Sequence, residues 1–300
     1  MKRALLLILL LAPAATFAES TVVIVEGLGG NELYAAAFSE QTTAIETAVA
    51  TLQPQPAVRV FRGAEATRDG VLAYLATLGE SMTARDQLHV YLVGHGSFDD
   101  EEYKFNIPGP DLTDQDLLGA FDAIPSGNQI VVNTSSASGA AADVWQGESR
   151  VVITATRSGV ERHATRFGDY FAAALSDPAA DVDKNQIVTA QEAFNFADRL
   201  VAESFESAGN LATEHARLDG DRAARFSLAR LTAARTQRND SRLTTLLGTR
   251  DEIAARLESL RLSRDERAPD EYQRELLGIM LELAEAEEAI ERREAELGNQ

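Results

Sequence analysis

Three hundred residues, 45% of them hydrophobic, are enough to bury one α/β core of ordinary size and to carry an appendage. Forty-seven acidic against twenty-eight basic residues leave a net charge of −19, which argues against nucleic acid or an anionic membrane as partner, since both are polyanions, and favours cations. The chain has no cysteine, so no disulfide framework supports it.

The first residues, MKRALLLILLLAPAATFAES, set Lys2 and Arg3 before an apolar stretch from Ala4 to Ala12 and end in the small residues Thr16 and Ala18. This is the pattern of a secretory signal peptide over 1–18, cut before Glu19 and too short for a membrane span. No lipid-bearing cysteine follows, so a soluble periplasmic or extracellular product is expected. Residues 21–26 (TVVIVE) read as a first strand, followed by Gly27-Leu28-Gly29-Gly30-Asn31. That run is a flexible turn beside a site rather than a nucleotide loop, because Glu32 and Leu33 stand near the place of a dinucleotide fingerprint's last glycine. Residues 34–52 read as a helix, with Phe38, Ile45 and Val49 at helical spacing. Then come a strand over 57–61, a helix over 69–79, a strand in 88–97, and a helix over 115–121 capped by Thr113 or Asp114. A strand in 129–139, another over 150–156 and a helix over 167–175 continue the alternation. Strand and helix alternating in this way predict an α/β fold, a doubly wound, mainly parallel sheet with helices on both faces. His89, inside an apolar strand, reads as a satisfied core residue, and His163 and His215 lie in polar stretches without metal-ligand spacing. Trp145 is expected to pack between the serine-rich turn and the strand that begins at Arg150.

Two strands organise the chain: residues 88–97, LHVYLVGHGS, and 129–139, QIVVNTSSASG. Each is a continuous apolar run that stops in small polar residues, as in a parallel sheet covered on both faces. In open α/β sheets the crevice outside the carboxyl ends of the strands is the ligand site, so His95 and the serines 135–138 are expected to face one another across it. The order strand, His-Gly, helix, strand, small residue, nucleophile, x, Ser, Gly resembles the caspase and legumain superfamily of cysteine peptidases, legumain more closely, over about residues 21–205. The resemblance implies that His95 is the catalytic histidine and that Gly96 lends its amide to an oxyanion hole. Where legumain-like chains have Ala-Cys-x-Ser-Gly, this one has Ser135-Ser136-Ala137-Ser138-Gly139, with Ser136 at the place of the nucleophile. It also implies a substrate pocket at Arg157 and Ser158, where Arg157 would meet an acidic group; the alternative is a surface arginine paired with one of many acids. A hydroxyl is a far weaker acid than a thiol and must lose its proton during attack, so it needs a well-oriented base, with Asp99 or Asp100 as the acids nearest His95 in sequence. The expected function is a catalytically inactive peptidase-fold protein that binds peptide or protein in this crevice. The alternative is a serine-dependent hydrolase with a Ser136–His95 dyad.

Residues 181–192, DVDKNQIVTAQE, fit an EF-hand calcium loop. Asp181, Asp183, Asn185, the Ile187 carbonyl, Thr189 and Glu192 occupy positions one, three, five, seven, nine and twelve, and oxygen donors at alternate positions suit a hard cation. Gln186 replaces the glycine of the sharp turn, so a positive φ is expected there. Weak, extracellular-type calcium affinity follows; the alternative is an acidic helix-capping loop. Composition changes near Ser227, dividing an α/β domain over 19–227 from a helical hairpin over 228–300. Leu243, Leu246, Ile253, Leu257 and Leu260, then, beyond a break at 263–269, Leu276, Ile279, Leu283, Ala286, Ile290 and Leu297 keep a three-four spacing. The hairpin reads as an antiparallel coiled coil that forms a homodimer or docks a partner, or as a plain cap on the domain.

Overall fold

Burial on both faces of the central strands shapes the whole architecture, seen in a computed structural model that describes residues 18–231, 241–264 and 267–298. The signal peptide expected over 1–18 lies, Ala18 apart, outside those residues. In chain order the elements begin β1 (Ser20–Glu26), α1 (Glu32–Val49), β2 (Ala57–Phe61), α2 (Arg68–Ser81) and β3 (Gln87–Val93). A small excursion follows, β4 (Gly96–Phe98), β5 (Tyr103–Phe105) and β6 (Leu112–Thr113), before α3 (Asp114–Ala123), β7 (Asn128–Asn133), α4 (Gly139–Ala142) and β8 (Arg150–Thr154). Next come α5 (Phe167–Ala174), β9 (Ile187–Thr189), α6 (Ala190–Ser207), β10 (Arg217–Asp219) and β11 (Ser227–Arg230), and then the hairpin α7 (Ser241–Leu262) and α8 (Pro269–Gly298).

The main sheet has six strands in the order β10-β8-β7-β3-β1-β2, parallel throughout except for β10, which runs antiparallel against β8. Alternation along each strand divides the core. Val22, Ile24, Tyr91, Val93, Ile130, Val132, Val151 and Ile153 face α1, α5 and α6, while Val23, Val25, Leu88, Val90, Leu92, Val131 and Val152 face α2 and α3. The expected α/β class and flanking helices are what the chain adopts. The second layer is clamped by one carboxylate: Asp116 closes a capping box with Thr113 at the start of α3 and takes two hydrogen bonds from Arg68 of α2, at 2.5 and 2.7 Å.

Two small sheets do not follow from the sequence pattern. Strands β4, β5 and β6 form an antiparallel sheet, and β11 pairs antiparallel with β9. With two to four residues each, these strands are too short to display a period of two. The hairpin begins its second helix at Pro269, where the fixed φ of proline suits a first helical turn. It encloses its own apolar cluster of Ile253, Leu257, Leu260, Tyr272, Ile279 and Leu283, and into that cluster Ile187 of β9 inserts. Ser227 of β11 also donates to Glu258 of α7 at 2.5 Å, so the hairpin packs on the β9–β11 ribbon.

His89 is buried in β3 as expected of a core residue, yet neither ring nitrogen has a hydrogen-bond partner. Its neighbours are the rings of Phe226, at 5.7 Å, and Tyr91, at 6.5 Å. Burial holds its pKa down at about 3, against 6.5 in an unfolded chain. Between those values the unfolded state binds the extra proton, so stability is full above pH 6.5 and is lost progressively as pH falls toward 3. Urea titrations from pH 7 to pH 4 should show this loss, and His89→Leu should flatten it over the same range; an equally steep fall in the variant would assign the acid sensitivity to carboxylates instead.

Candidate functional site

The strand pair β3–β7 delivers the two expected catalytic segments to one place. Leu92 lies opposite Asn133 in parallel register, and Thr134 continues the ladder by donating to the Leu92 carbonyl. Beyond this point the Ser136 hydroxyl donates to the Gly96 carbonyl at 2.9 Å and accepts from the Gly96 amide at 3.3 Å. His95-Gly96 and the serine turn are therefore brought together, joined through the backbone of Gly96. The turn itself is held on every side. Ser135 shares a 2.6 Å hydrogen bond with the Tyr103 hydroxyl, which also accepts from Asn133 Nδ2 at 2.8 Å. The Ser138 hydroxyl accepts from the Thr156 amide at 3.2 Å. Ala137 adopts a φ of +57°, costly for a side-chain-bearing residue, and its amide is tied to the Glu161 carbonyl at 2.8 Å.

His95 faces elsewhere. Its ring packs edge-on against Tyr34 and Phe38 of α1, at 4.7 and 4.9 Å, and makes a hydrogen bond with the Gly29 backbone. Burial lowers its pKa below the usual histidine value, with Gly29 opposing, which leaves the ring neutral at pH 7. Among the described residues no hydrogen bond joins His95 to Ser136. The acids that sequence proximity offered are engaged by other partners. Asp99 is bound by Lys104 at 2.6 Å, which draws its pKa down to about 2, and Asp100 is bound by Arg162 at 2.8 Å.

Arg157 and Ser158 lie on the loop after β8, at the same edge of the sheet. Ser158 accepts at its carbonyl from Thr156 Oγ1, and Arg157 is exposed with no ion pair among the described residues, rather than matched to an acid. Leu28, Val160 and Leu211 are large apolar side chains exposed on the loops after β1 and β8 and before β10, and Leu33 is exposed in the first turn of α1. These loops meet at the carboxyl edge of the parallel strands. Sequence reasoning missed the pair beneath this edge: Glu161 reaches His215 Nδ1 at 2.6 Å, and its second oxygen accepts from the amides of Arg157 and His215 at 2.9 and 3.2 Å. Fifty-four residues separate the partners, so no local pattern could have joined them.

The 181–192 loop forms the second candidate site. Oxygens of Asp181, Asp183 and Glu192 lie within 4.8 Å of one another, the one such acidic cluster among the described residues. Asp181 is fully buried and accepts from the amides of Asn185 and Gln186, at 3.1 and 2.9 Å. Glu192 closes a capping box with Thr189 at the start of α6 and takes the Val182 amide at 3.0 Å. Gln186 has a φ of +66°, the left-handed turn that the missing glycine demands, and Lys184 a φ of +59°. Burial raises the pKa of Asp183. Every donor in the set is oxygen, a composition that suits a hard divalent cation.

No family model matches the chain, and no curated protein is significantly similar to it. Among solved structures it is similar to the crystal structure of protein GSU0716 from Geobacter sulfurreducens, at 9% identity and a TM-score of 0.44, over 67% of this chain and 92% of that one.

The junction of the two segments leaves no room for a side chain at Gly96. A Cβ there would stand 2.5 Å from the Ser136 carbonyl oxygen and 2.6 Å from Ser135 Oγ. Gly96→Ala should therefore cost roughly 1–3 kcal/mol in denaturant titrations. Gly119→Ala, on an exposed stretch of α3 with nothing near its Cβ, should gain about 0.5–1 kcal/mol. A neutral Gly96→Ala would mean that the two segments are not in contact.

Proposed function

We propose that the chain is an exported, legumain/caspase-like protein whose crevice is catalytically silent and binds peptide or protein, with a calcium ion held in the 181–192 loop. The hydrogen bonding of Ser136 carries the first part of this reading. Its hydroxyl gives its proton to the Gly96 carbonyl, so the proton that a general base would remove is already donated to main chain. His95 lies against aromatic rings with no carboxylate behind it, and nothing among the described residues aligns its nitrogens with the hydroxyl. The likeness to the peptidase superfamily is supported by the order of the parallel strands β2-β1-β3-β7-β8 and by the His-Gly and Ser-Ser-Ala-Ser-Gly segments at adjacent strand ends. The exposed Leu28, Leu33, Val160 and Leu211 support a peptide as ligand, since exposed apolar side chains gain when an apolar partner covers them.

The donor set supports calcium over magnesium. Asp181, Asp183, Asn185, the Ile187 carbonyl, Thr189 and Glu192 offer many oxygens on a loop, whereas magnesium keeps its waters. No helix among the described residues is long and apolar enough to cross a membrane.

Two measurements test the reading. A serine-directed fluorophosphonate should leave the protein unlabelled; a stoichiometric adduct on Ser136 that disappears in His95→Ala would establish the serine hydrolase instead. Calcium at about a hundred times its dissociation constant should stabilise the fold by roughly 2.7 kcal/mol, seen as a rise in melting temperature that Glu192→Gln largely removes. An identical melting curve in chelator and in millimolar calcium would leave 181–192 as a helix cap only.

A further inference from the structure

The 181–192 loop has a second face. Ile187 stands at the loop's seventh place, whose carbonyl the cation reading takes as the main-chain donor, while its side chain lies in the apolar cluster of the hairpin, where it is the one buried member from outside α7 and α8 among the described residues. The same residue is fixed from a third side, for it pairs with Arg230 across the β9–β11 ribbon, and the neighbouring Gln186 carbonyl accepts the Leu231 amide at 3.0 Å. Beside it Asp183, Lys184 and Asn185 line a cleft of about 350 Å³ whose other wall is α8, with Leu283, Glu287 and Glu288. Carboxylates of the loop and of α8 thus face each other across this cleft. Arg261 of α7 is the cation whose charge acts on Asp183 from the hairpin side.

Resting on the cation reading above, we infer that the loop regulates the hairpin: a divalent cation in 181–192 holds α7 and α8 onto the α/β sheet, and its loss loosens them. Two physical effects act in the same direction. Ligation fixes the backbone at Ile187, and a fixed backbone aims the side chain that plugs the hairpin cluster. Without the ion, Asp181, Asp183 and Glu192 repel one another, and Asp183 faces Glu287 and Glu288, a repulsion that Lys184, Arg250 and Arg292 offset in part; two positive charges in the loop reduce what is left at the docking face. The coupling is reciprocal, so whatever weakens the docked hairpin must weaken the ion by the same factor.

Hydrogen–deuterium exchange on the full chain tests this, with calcium as the probe and calorimetry reporting binding separately. Adding calcium to chelator-treated protein should slow exchange in α7 and α8 on the order of tenfold. Glu192→Gln should lose both the binding heat and the slowing. Ile187→Ala should keep binding, more weakly, and lose the slowing; should that variant fail to fold, Leu257→Ala makes the same cut from the hairpin side. Calcium that binds while hairpin exchange stays unchanged overturns the coupling and leaves the cation reading standing, as does slowing that persists in the Ile187 and Leu257 variants. Absence of any binding heat removes the cation reading and the coupling with it.

Discussion

The parallel pairing of β3 with β7 is the constraint on which the candidate site depends. Because Leu92 and Asn133 end the pairing side by side, the chain must leave both strands at one level, and both segments must turn in the space just beyond. Gly94 accommodates that crowding next to Gly27, and Gly96 next to the serine turn, since a Cβ at either would meet backbone atoms. The result is a contact between Gly96 and Ser136 that uses both hydrogen-bonding capacities of the serine hydroxyl. A hydroxyl held in this way is a structural pin. If the proposed likeness to the thiolate peptidases holds, a serine with its proton donated to main chain accounts for a crevice that persists without their chemistry.

The excess of acids has a structural use that charge counting does not reveal. Glu214, deeply buried, accepts from the amides of Arg166 and Phe167 where α5 begins, and burial raises its pKa in spite of them. Glu161 joins the loop after β8 to the approach to β10, Asp86 holds the Glu19 and Thr83 amides, and Asp181 and Glu192 close the 181–192 loop. In a chain without cysteine these carboxylates take the place of crosslinks, because an ionised oxygen accepting a backbone N–H makes a stronger bond than a neutral one. The same logic extends to the face where the 181–192 loop meets the hairpin, where acids from two elements meet among the cations Lys184, Arg250, Arg261 and Arg292.

Most of the sheet could be read from the sequence because its central strands are buried on both faces and appear as largely apolar runs, while the exposed edge strand β2 was still legible as 57–61 from its short β-branched segment. The turn at Gln186 was equally legible, since a twelve-residue loop with oxygen donors at alternate positions requires a left-handed residue at its sixth place whatever the side chain. What stayed hidden depends on contacts between distant residues. Nothing in LHVYLVGHGS says that His95 packs on Tyr34 and Phe38 instead of turning to Ser136, or that Asp99 and Asp100 have cationic partners. His89 was recognisable as core, but its unpaired ring nitrogens were not, because its surroundings include Phe226, far along the chain, which offers a ring and no hydrogen-bond partner.

The central claim is geometric: the Ser136 hydroxyl belongs to Gly96 and not to His95. A crystal structure of the protein at atomic resolution, with an apolar peptide soaked into the crevice, measures this directly. The account predicts Ser136 Oγ about 2.9 Å from the Gly96 carbonyl oxygen with the His95 ring still packed edge-on against Tyr34 and Phe38. A His95 nitrogen swung to within hydrogen-bond distance of Ser136 Oγ, with the Gly96 bond broken, would contradict it and return the crevice to catalysis.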